Sequence, residues 1–287
     1  MTRKLAAVQM VSGPDVERNL ATAAELIAEA AAQGADLVLL PEVFAALEGE
    51  PMRAHGERQG APGSPIQEFL SGEALRHGVV LIGGTAPLSS RPEKSESDAG
   101  YLIEDGRVRA SSLVYDAAGE LLARYDKIHL FDVMIEDRQA QYSESLSYEA
   151  GSEVVCVDTE AGRLGLSVCY DLRFPELYRR LFRLGAEILT VPAAFTAVTG
   201  EAHWESLLRA RAIENQCYLV AAAQGGSHGY PRETSRETWG HSMIVSPWGE
   251  ILAELDKGPG VAVAEMDLLT LRDIRRKMPV ADHIRLG

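Results

Sequence analysis

Short apolar runs alternate with helical patterns along most of this chain, and the alternation restricts the fold more than any other feature of the sequence. The segments between the runs carry apolar residues at helical spacing, one of them at residues 203–215. Between residues 101 and 124, strand-like segments instead follow one another directly, joined by tight turns. This pattern predicts an α/β domain whose sheet faces are covered by helices. The apolar runs lie at residues 5–10, 37–40, 79–84, 164–168, 187–191 and 218–223.

Length and charge restrict the possible partners. A chain of 287 residues with 46% hydrophobic and 24% charged residues is predicted to form one large domain, residues 1–287. Its formal net charge of -14 argues against nonspecific binding to nucleic acid or to an anionic membrane, because both need a basic surface. No apolar run approaches the roughly 20 residues that span a bilayer, and the N-terminal run lacks the length of a signal peptide. We therefore expect a cytoplasmic protein.

The cysteine content agrees with a reducing compartment. The chain has three cysteines, Cys156, Cys169 and Cys217, with no Cys-x-x-Cys spacing among them. An odd number without that spacing argues against a disulfide framework and against a cysteine zinc site. Any special role for a cysteine must therefore rest on its local sequence.

Cys169 has such a local sequence. It lies in the segment RLGLSVCYDLRFPEL, residues 163–177, which predicts a short strand, a sharp turn and a helix that begins at Pro175. A thiol at the exit of a strand, close to outward-pointing backbone N–H groups, lies where a thiolate can be stabilised. The alternative is that Cys169 is a small buried hydrophobic residue, the usual situation of a free cysteine. Taken alone, the segment leaves both interpretations open.

Two charged residues follow other predicted strands. Glu42 comes directly after the run at residues 37–40, and Lys127 follows the strands that end near residue 124. Each is either a solvated surface charge or a functional group, since α/β proteins place functional groups at strand exits. His129 is predicted to have a structural hydrogen-bonding role, because the sequence offers no partner set for a metal site.

Three separated segments resemble the signature blocks of the nitrilase superfamily of carbon–nitrogen hydrolases. The resemblance extends over nearly the whole chain and implies a four-layer α-β-β-α sandwich and a catalytic triad of Glu42, Lys127 and Cys169. It also implies a second glutamate, which we assign to Glu144, no cofactor, no metal, and at least a homodimer. The backbone N–H of Tyr170 is the predicted second donor to an oxyanion. The blocks are PE at 41–42, YDKIHLF at 125–131 and GLSVCYDLRFPEL at 165–177, and Glu144 lies in YSES at 142–145.

Further segments are similar to the branch of the superfamily that contains omega-amidase and deaminated glutathione amidase. The resemblance implies a cysteine-dependent amidase that forms a thioester with a small amide bearing a carboxylate. The expected reaction is hydrolysis of deaminated glutathione to 2-oxoglutarate and cysteinylglycine. Action on 2-oxoglutaramate is the alternative within the branch, and a catalytically silent interaction protein is the alternative from another class. The segments are DLRFPEL at 171–177, GEAHWE at 200–205, LRARAIENQCY at 208–218 and AAAQ at 221–224.

The substrate carboxylate has a candidate partner in Arg173. A guanidinium just beyond the nucleophile suits bidentate binding of a carboxylate, whereas the alternative is a salt bridge to Glu176 or Asp171. Phe195 and Thr199, on the segment after another strand, are further candidate pocket residues.

Two positions depart from the family pattern. Asp126 lies where the family commonly has a basic residue, and Ala150-Gly151 replaces a common Pro-Gly. Asp126 is expected to alter the electrostatic field near Lys127, and the change at residue 150 to displace the loop that carries Glu144.

Overall fold

The computed structural model describes residues 2–47, 49–50, 52–92, 100–137, 140–228 and 236–285. Short 3-10 turns lie at Met52–His55, Glu144–Leu146 and Cys169–Arg173. The helices are α1 (Val16–Ala32), α2 (Pro65–His77), α3 (Pro175–Arg183), α4 (Ala197–Asn215), α5 (Leu268–Lys277) and α6 (Val280–His283). The strands are β1 (Thr2–Gln9), β2 (Leu37–Leu39), β3 (Val80–Ile82), β4 (Ala86–Leu88), β5 (Arg109–Tyr115), β6 (Leu121–Asp126), β7 (Asp132–Met134), β8 (Gln141–Ser143), β9 (Cys156–Thr159), β10 (Gly162–Leu166), β11 (Ile188–Ala193), β12 (Tyr218–Ala223), β13 (Ser227–His228), β14 (Arg236–Glu237), β15 (Met243–Val245), β16 (Ile251–Glu254) and β17 (Gly260–Asp267).

Most of these strands form two mixed sheets. The first has the order β17-β1-β2-β3-β5-β4, with β6 paired to β5, and the second has the order β16-β15-β12-β11-β10-β9. Strands β1, β2 and β3 run parallel at the centre of the first sheet, as β10, β11 and β12 do in the second. The remaining pairings within both sheets are antiparallel. Strand–helix–strand connections therefore produce the centre of each sheet, and hairpins extend its edges.

The two sheets lie face to face, and the side-chain alternation of β1 demonstrates this. Leu5 and Ala7 belong to the core between the sheets, together with residues of β10, β11 and β12. Ala6 and Val8 point to the other face, where they pack with Ile27 of α1 and with residues of α2. Because a strand buried on both faces needs apolar residues at every position, β1 reads as a continuous apolar run. With α3 and α4 packed against the second sheet, the predicted four-layer α-β-β-α sandwich is confirmed.

Two local predictions differ from the structure. Helix α4 begins at Ala197, where Thr196 caps it by accepting a hydrogen bond from the backbone N–H of Thr199 (3.3 Å), so the predicted start at residue 203 was wrong. The first turn contains Gly200, on which a Cβ would lie 2.2 Å from the Cβ of Trp239. Glycine has a low helix propensity, but the close contact with Trp239 leaves no room for a side chain at residue 200. Residues 101–103 form only an isolated bridge between Leu102 and Ser90, and no strand.

A buried amide joins the exits of the two sheets. Gln224, directly after β12, donates from Nε2 to the backbone carbonyl of Glu42 (3.1 Å) and accepts from the backbone N–H of Ser12 (3.0 Å). Glu42 follows β2 in the first sheet, and Cys169 follows β10 in the second. The bonds from Gln224 therefore fix the carboxyl ends of strands from both sheets at one edge of the molecule.

Candidate active site

A pocket of about 330 Å³ opens at this edge. Its volume lies at the lower end of the range for sites that bind small molecules, about 300 to 1,000 Å³. Every side chain that the sequence predicted for the site lines it: Glu42, Lys127, Glu144, Cys169, Arg173, Phe195 and Thr199. Tyr170, the predicted backbone donor, lines it as well. The pocket thus brings together residues that are far apart in the chain, while their roles remain predictions.

Lys127 lies at the centre of the charged groups. Its side chain is almost fully buried, and its Nζ is 2.8 Å from Oε1 of Glu42 and 2.8 Å from both carboxylate oxygens of Glu144. Burial alone would lower the pKa of Lys127, but the attraction of Glu144 and Glu42 outweighs it and raises the pKa well above the usual value. Lys127 is therefore a fixed cation and cannot serve as a proton donor near neutral pH.

Glu144 is held from two sides. Its carboxylate accepts hydrogen bonds from Lys127 and from the backbone N–H of Phe131, at 2.6 Å. Burial raises the pKa of Glu144, and the negative charge of Glu42 acts in the same direction, although Lys127 opposes both. Two carboxylates thus share one ammonium, and in this arrangement Glu144 binds a proton more tightly than it would in water.

The thiol of Cys169 is neutral in this environment. Burial raises its pKa well above the usual value, and the charge of Glu42 adds to the effect. Lys127 and the backbone N–H of Ala194 act in the opposite direction without overcoming it. The local sequence had left open a stabilised thiolate or a buried thiol, and the direction of the shift agrees with the buried thiol. The desolvation of a fully buried sulfur outweighs the nearby N–H dipoles.

The turn that holds Cys169 has an unusual backbone. Cys169 has a φ of 48°, in the left-handed region that non-glycine residues rarely adopt. Asp171, fully buried in the same turn, accepts hydrogen bonds from the backbone N–H of Val168 (2.9 Å) and from the hydroxyl of Tyr125 (2.7 Å). These contacts hold the turn from inside, and strained residues of this kind persist only where their surroundings over-determine them.

His129 supports the same aspartate. Its backbone N–H donates to Oδ1 of Asp171 (3.0 Å), its Nδ1 lies 2.7 Å from the same oxygen, and its ring stacks on Phe174 at 3.7 Å between centroids. The predicted hydrogen-bonding role of His129 is confirmed. Sequence reasoning had considered Asp171 only as a salt-bridge partner of Arg173, and missed its role as the acceptor that holds the nucleophile turn.

Arg173 projects along the pocket wall. Its guanidinium carbon lies 5.3 Å from the ring centroid of Phe195 and 5.9 Å from that of Tyr170, and its Nη1 lies 3.3 Å from Nδ1 of His203. Within the described residues it forms no ion pair with Glu176 or Asp171, because neither carboxylate lies within 4.0 Å of its nitrogens. The salt-bridge alternative is therefore wrong, and the guanidinium remains available to an anion. Thr199 lies in the first turn of α4 and not on a loop.

The pocket is also lined by residues that were not predicted from the sequence, and three of them carry polar groups of interest. These three are Arg236, Tyr142 and Tyr148. Tyr142 lies in β8, within the segment quoted for Glu144 and two residues before that glutamate, so its closeness in sequence is a usable signal. Arg236 follows a long polar segment without periodicity, so no pattern identified it.

Neither departure from the family pattern disturbs the charged centre. Asp126 points away from Lys127 and accepts from Arg109 (2.8 Å), Arg124 (2.7 Å) and Ser111 (2.6 Å), so its charge is compensated locally. Gly151 donates to the backbone carbonyl of Lys127 at 2.8 Å, and the contacts of Glu144 with Lys127 are intact. Asp126 is therefore paired within its own cluster, and the loop places Glu144 against Lys127 with Ala150 in its sequence.

The described ranges contain neither a cluster of metal ligands nor a membrane-spanning helix. Among these residues there is no group of three or more His, Cys, Asp or Glu side chains that could hold a metal ion. No helix among them is both long and apolar enough to cross a membrane.

Comparisons with known proteins agree with this geometry. The profile of a family described as carbon-nitrogen hydrolase matches residues 4–276. A Yersinia enterocolitica protein named deaminated glutathione amidase is 43% identical over 281 residues, which cover 98% of this chain and 92% of that one. A Synechocystis protein of the same name is 45% identical, with 97% and 96% covered. The crystal structure of Saccharomyces cerevisiae Nit3, described as a member of branch 10 of the nitrilase superfamily, has a TM-score of 0.82 at 30% identity, covering 97% of this chain and 94% of Nit3.

Proposed function

This chain belongs to the carbon–nitrogen hydrolase family and is an amidase, and from that premise we propose that it hydrolyses deaminated glutathione to 2-oxoglutarate and cysteinylglycine. One observation carries the chemical part of the proposal: an ammonium held at 2.8 Å by two carboxylates in the pocket that contains a buried thiol. The relatives named deaminated glutathione amidase support the choice of substrate.

Acylation begins with proton transfer. Because burial raises the pKa of Cys169, the thiol must lose its proton as it attacks, and Glu42 is the carboxylate whose charge and hydrogen bond with the thiol raise that pKa further. Glu42 accepts the proton while Sγ forms a bond to the amide carbon. The carbonyl oxygen then becomes an oxyanion, which Lys127 and the backbone N–H of Tyr170 stabilise. One such donor contributes about 3 kcal/mol to a transition state of this kind.

Collapse of this first intermediate completes acylation, and deacylation then uses the same groups. Glu42 gives its proton to the leaving nitrogen, the C–N bond breaks, and the acyl group remains on Cys169 as a thioester. Glu42 next takes a proton from water, whose oxygen attacks the thioester carbon. The second oxyanion collapses, the C–S bond breaks and Sγ recovers the proton. Lys127 stays protonated throughout, which suits its raised pKa, and Glu144 holds it in place.

The competing substrate is 2-oxoglutaramate, which has the same acyl group but releases ammonia. Purified protein should give a kcat/KM for deaminated glutathione at least about tenfold above that for 2-oxoglutaramate, because the larger leaving group can make additional contacts. Assays of both compounds by release of 2-oxoglutarate decide between them. A preference for 2-oxoglutaramate would contradict the proposed substrate, and release of no product from either would favour a protein without this activity.

We also keep two properties as proposals. The resemblance implies a homodimer or a higher homo-oligomer, which light scattering of the purified protein can test. A cytoplasmic location is supported by the few unpaired cysteines, which suit a reducing compartment.

A further inference from the structure

Arg236 is a second guanidinium in the pocket, and the mechanism above does not use it. It lies in β14, its Nη2 donates to the backbone carbonyl of Ala194 at 3.1 Å, and its guanidinium carbon lies 5.7 Å from the ring centroid of Tyr142. Its Nε is buried and has no hydrogen-bond partner. In the part of the chain that the structure describes, no carboxylate lies within ion-pair distance of it.

An arginine in this state is suited to an anion. A buried donor of a charged group that has no partner costs free energy, and the cost is removed when an acceptor arrives. Other arginines in the half-buried interior, such as Arg109 and Arg124, are paired with carboxylates of the protein. Arg173 and Arg236 line the pocket without such a partner. Two guanidiniums in one pocket fit a ligand that has two carboxylates.

The two guanidiniums lie at opposite ends of a row of three rings. Phe131 is in the middle, 5.1 Å from the centroid of Tyr142 and 5.0 Å from that of Tyr170. Arg236 lies over Tyr142, and Arg173 lies over Tyr170. The row therefore connects the two positive charges through a continuous series of ring contacts along the pocket wall.

The connections of each arginine relate it to one side of the scissile bond. Arg173 is in the same 3-10 turn as Cys169, and the acyl group is the part of the substrate that stays bonded to that turn. Tyr142, over which Arg236 lies, is two residues from Glu144, and thus near the paired carboxylates where the leaving nitrogen receives its proton.

From this arrangement we infer that Arg236 binds a carboxylate on the leaving amine while Arg173 binds the carboxylate of the acyl group, so that the pocket selects amides with an anion on each side of the scissile bond. The inference rests on the proposed function and specifies its substrate class. Deaminated glutathione has this form, since its acyl part and its cysteinylglycine part each end in a carboxylate. An amide that releases ammonia has nothing for Arg236 to bind.

Three substrates and two variants test the inference. The substrates are deaminated glutathione, the same compound with its C-terminal carboxylate converted to a carboxamide, and 2-oxoglutaramate. Arg236→Gln should lower kcat/KM for deaminated glutathione by about 10- to 100-fold, mainly through KM, which is the range of a lost hydrogen bond to a charged group. For the carboxamide and for 2-oxoglutaramate the change should stay within roughly threefold, because neither presents a leaving-group anion. Arg173→Gln should reduce turnover of all three.

Controls separate binding from folding. Arg107→Gln removes an arginine that pairs with Asp105 outside the pocket and should leave all three kcat/KM values unchanged. Arg236→Lys keeps the charge without the planar fork and should recover part of the loss, which a purely structural role would not predict. If Arg236→Gln fails to fold, the same substrate comparison with Arg236→Lys still discriminates.

Several outcomes would overturn the inference. An equal loss of kcat/KM on all three substrates in the Arg236 variants would mean that the residue supports the pocket without binding the leaving group. A reversed pattern, in which Arg173→Gln is the variant that spares the carboxamide, would overturn the assignment of the two ends. If the unaltered protein hydrolyses none of the three compounds, the proposed function fails first, and this result is distinct from an active enzyme that is indifferent to Arg236.

Discussion

Asp126 and Lys127 are neighbours in the chain, yet they belong to two charge clusters of opposite design. Asp126 points into a cluster with Arg109, Arg124 and, through Arg109, Glu149, in which every carboxylate has at least two guanidinium contacts. There the pKa of Glu149 is lowered to about 2, chiefly by its hydrogen bonds from Arg91. Lys127 points into the pocket, where its ammonium forms hydrogen bonds with two carboxylates and lies near the thiol of Cys169.

The difference shows how one strand end can serve both stability and chemistry. In the Asp126 cluster, cations outnumber the carboxylates, and the lowered pKa of Glu149 keeps that carboxylate ionised at neutral pH. Around Lys127, one cation contacts two carboxylates, and burial together with the charge of Glu42 raises the pKa values of Glu144 and Cys169. Side chains keep a raised proton affinity only where the surrounding charges do not fully balance. General acid–base catalysis requires groups of this kind.

The largest effect should come from the thiol. Cys169→Ala is expected to reduce amidase turnover by a factor on the order of 10⁴ or more, because no other group can form the acyl-enzyme. Circular dichroism and the urea midpoint should remain close to those of the unaltered protein. Cys156→Ala, at a half-buried cysteine outside the pocket, is the matched control and should retain activity. Substantial turnover by the Cys169 variant would refute the assignment of the nucleophile.

A pair of substitutions tests whether the two clusters differ in role. Lys127→Met should lower kcat by about 10³-fold, the effect of removing an oxyanion donor. Arg124→Met should leave kcat within roughly threefold but lower the free energy of unfolding by about 3 kcal/mol, since it leaves the buried Asp126 with one cation fewer. Urea denaturation and steady-state kinetics on the same preparations measure both quantities. The comparison breaks if Arg124→Met is the inactive variant and Lys127→Met keeps its activity.

The smallest effect should be the pH dependence of stability. Glu149 has a folded pKa of about 2 against an ordinary 4.5, so its contribution is present above pH 4.5 and is lost as the pH falls towards 2. The advantage of the unaltered protein over Glu149→Gln should therefore disappear over that window. Glu144 has a raised pKa, so the sign is opposite: its contribution is present below pH 4.5 and decreases as the pH rises through the folded value. Urea unfolding curves from pH 2 to 8 measure these contributions for Glu149→Gln and Glu144→Gln. If both contributions change with pH in the same direction, the distinction between the two clusters is contradicted.

The sequence was sufficient for the layers and for the charged centre. Apolar runs and helical patterns predicted an α/β domain with helices over its sheet faces. The four layers, and a joint site for Glu42, Lys127 and Cys169, followed from the resemblance of three separated blocks to a known family. The assignment of each strand to a sheet depends on pairings between distant residues, such as β1 with β17, and local pattern does not contain them. The arginine partners of Asp126 were not predicted either, because Arg109 comes from a neighbouring strand.

The rest of the pocket depends on contacts that no short window of sequence holds. Arg236 is recognisable only once Tyr142 and Ala194 lie beside it. The raised pKa of Cys169 requires burial that the turn sequence does not specify, although the turn itself was predicted. Helix α4 began earlier than predicted because Gly200 packs closely against Trp239, and tertiary packing overrode a poor intrinsic propensity.

The left-handed backbone of Cys169 has a consequence for how such a chain changes over generations. A non-glycine residue in that conformation costs roughly 1 to 2 kcal/mol, which a glycine would not incur. Stability alone would therefore favour glycine at residue 169, whereas the proposed reaction requires the thiol. A descendant that kept the fold merely as a binding scaffold would be free to lose the thiol. Under the proposed mechanism, the strain of the cysteine at a φ of 48° is tolerated because its thiol is the nucleophile.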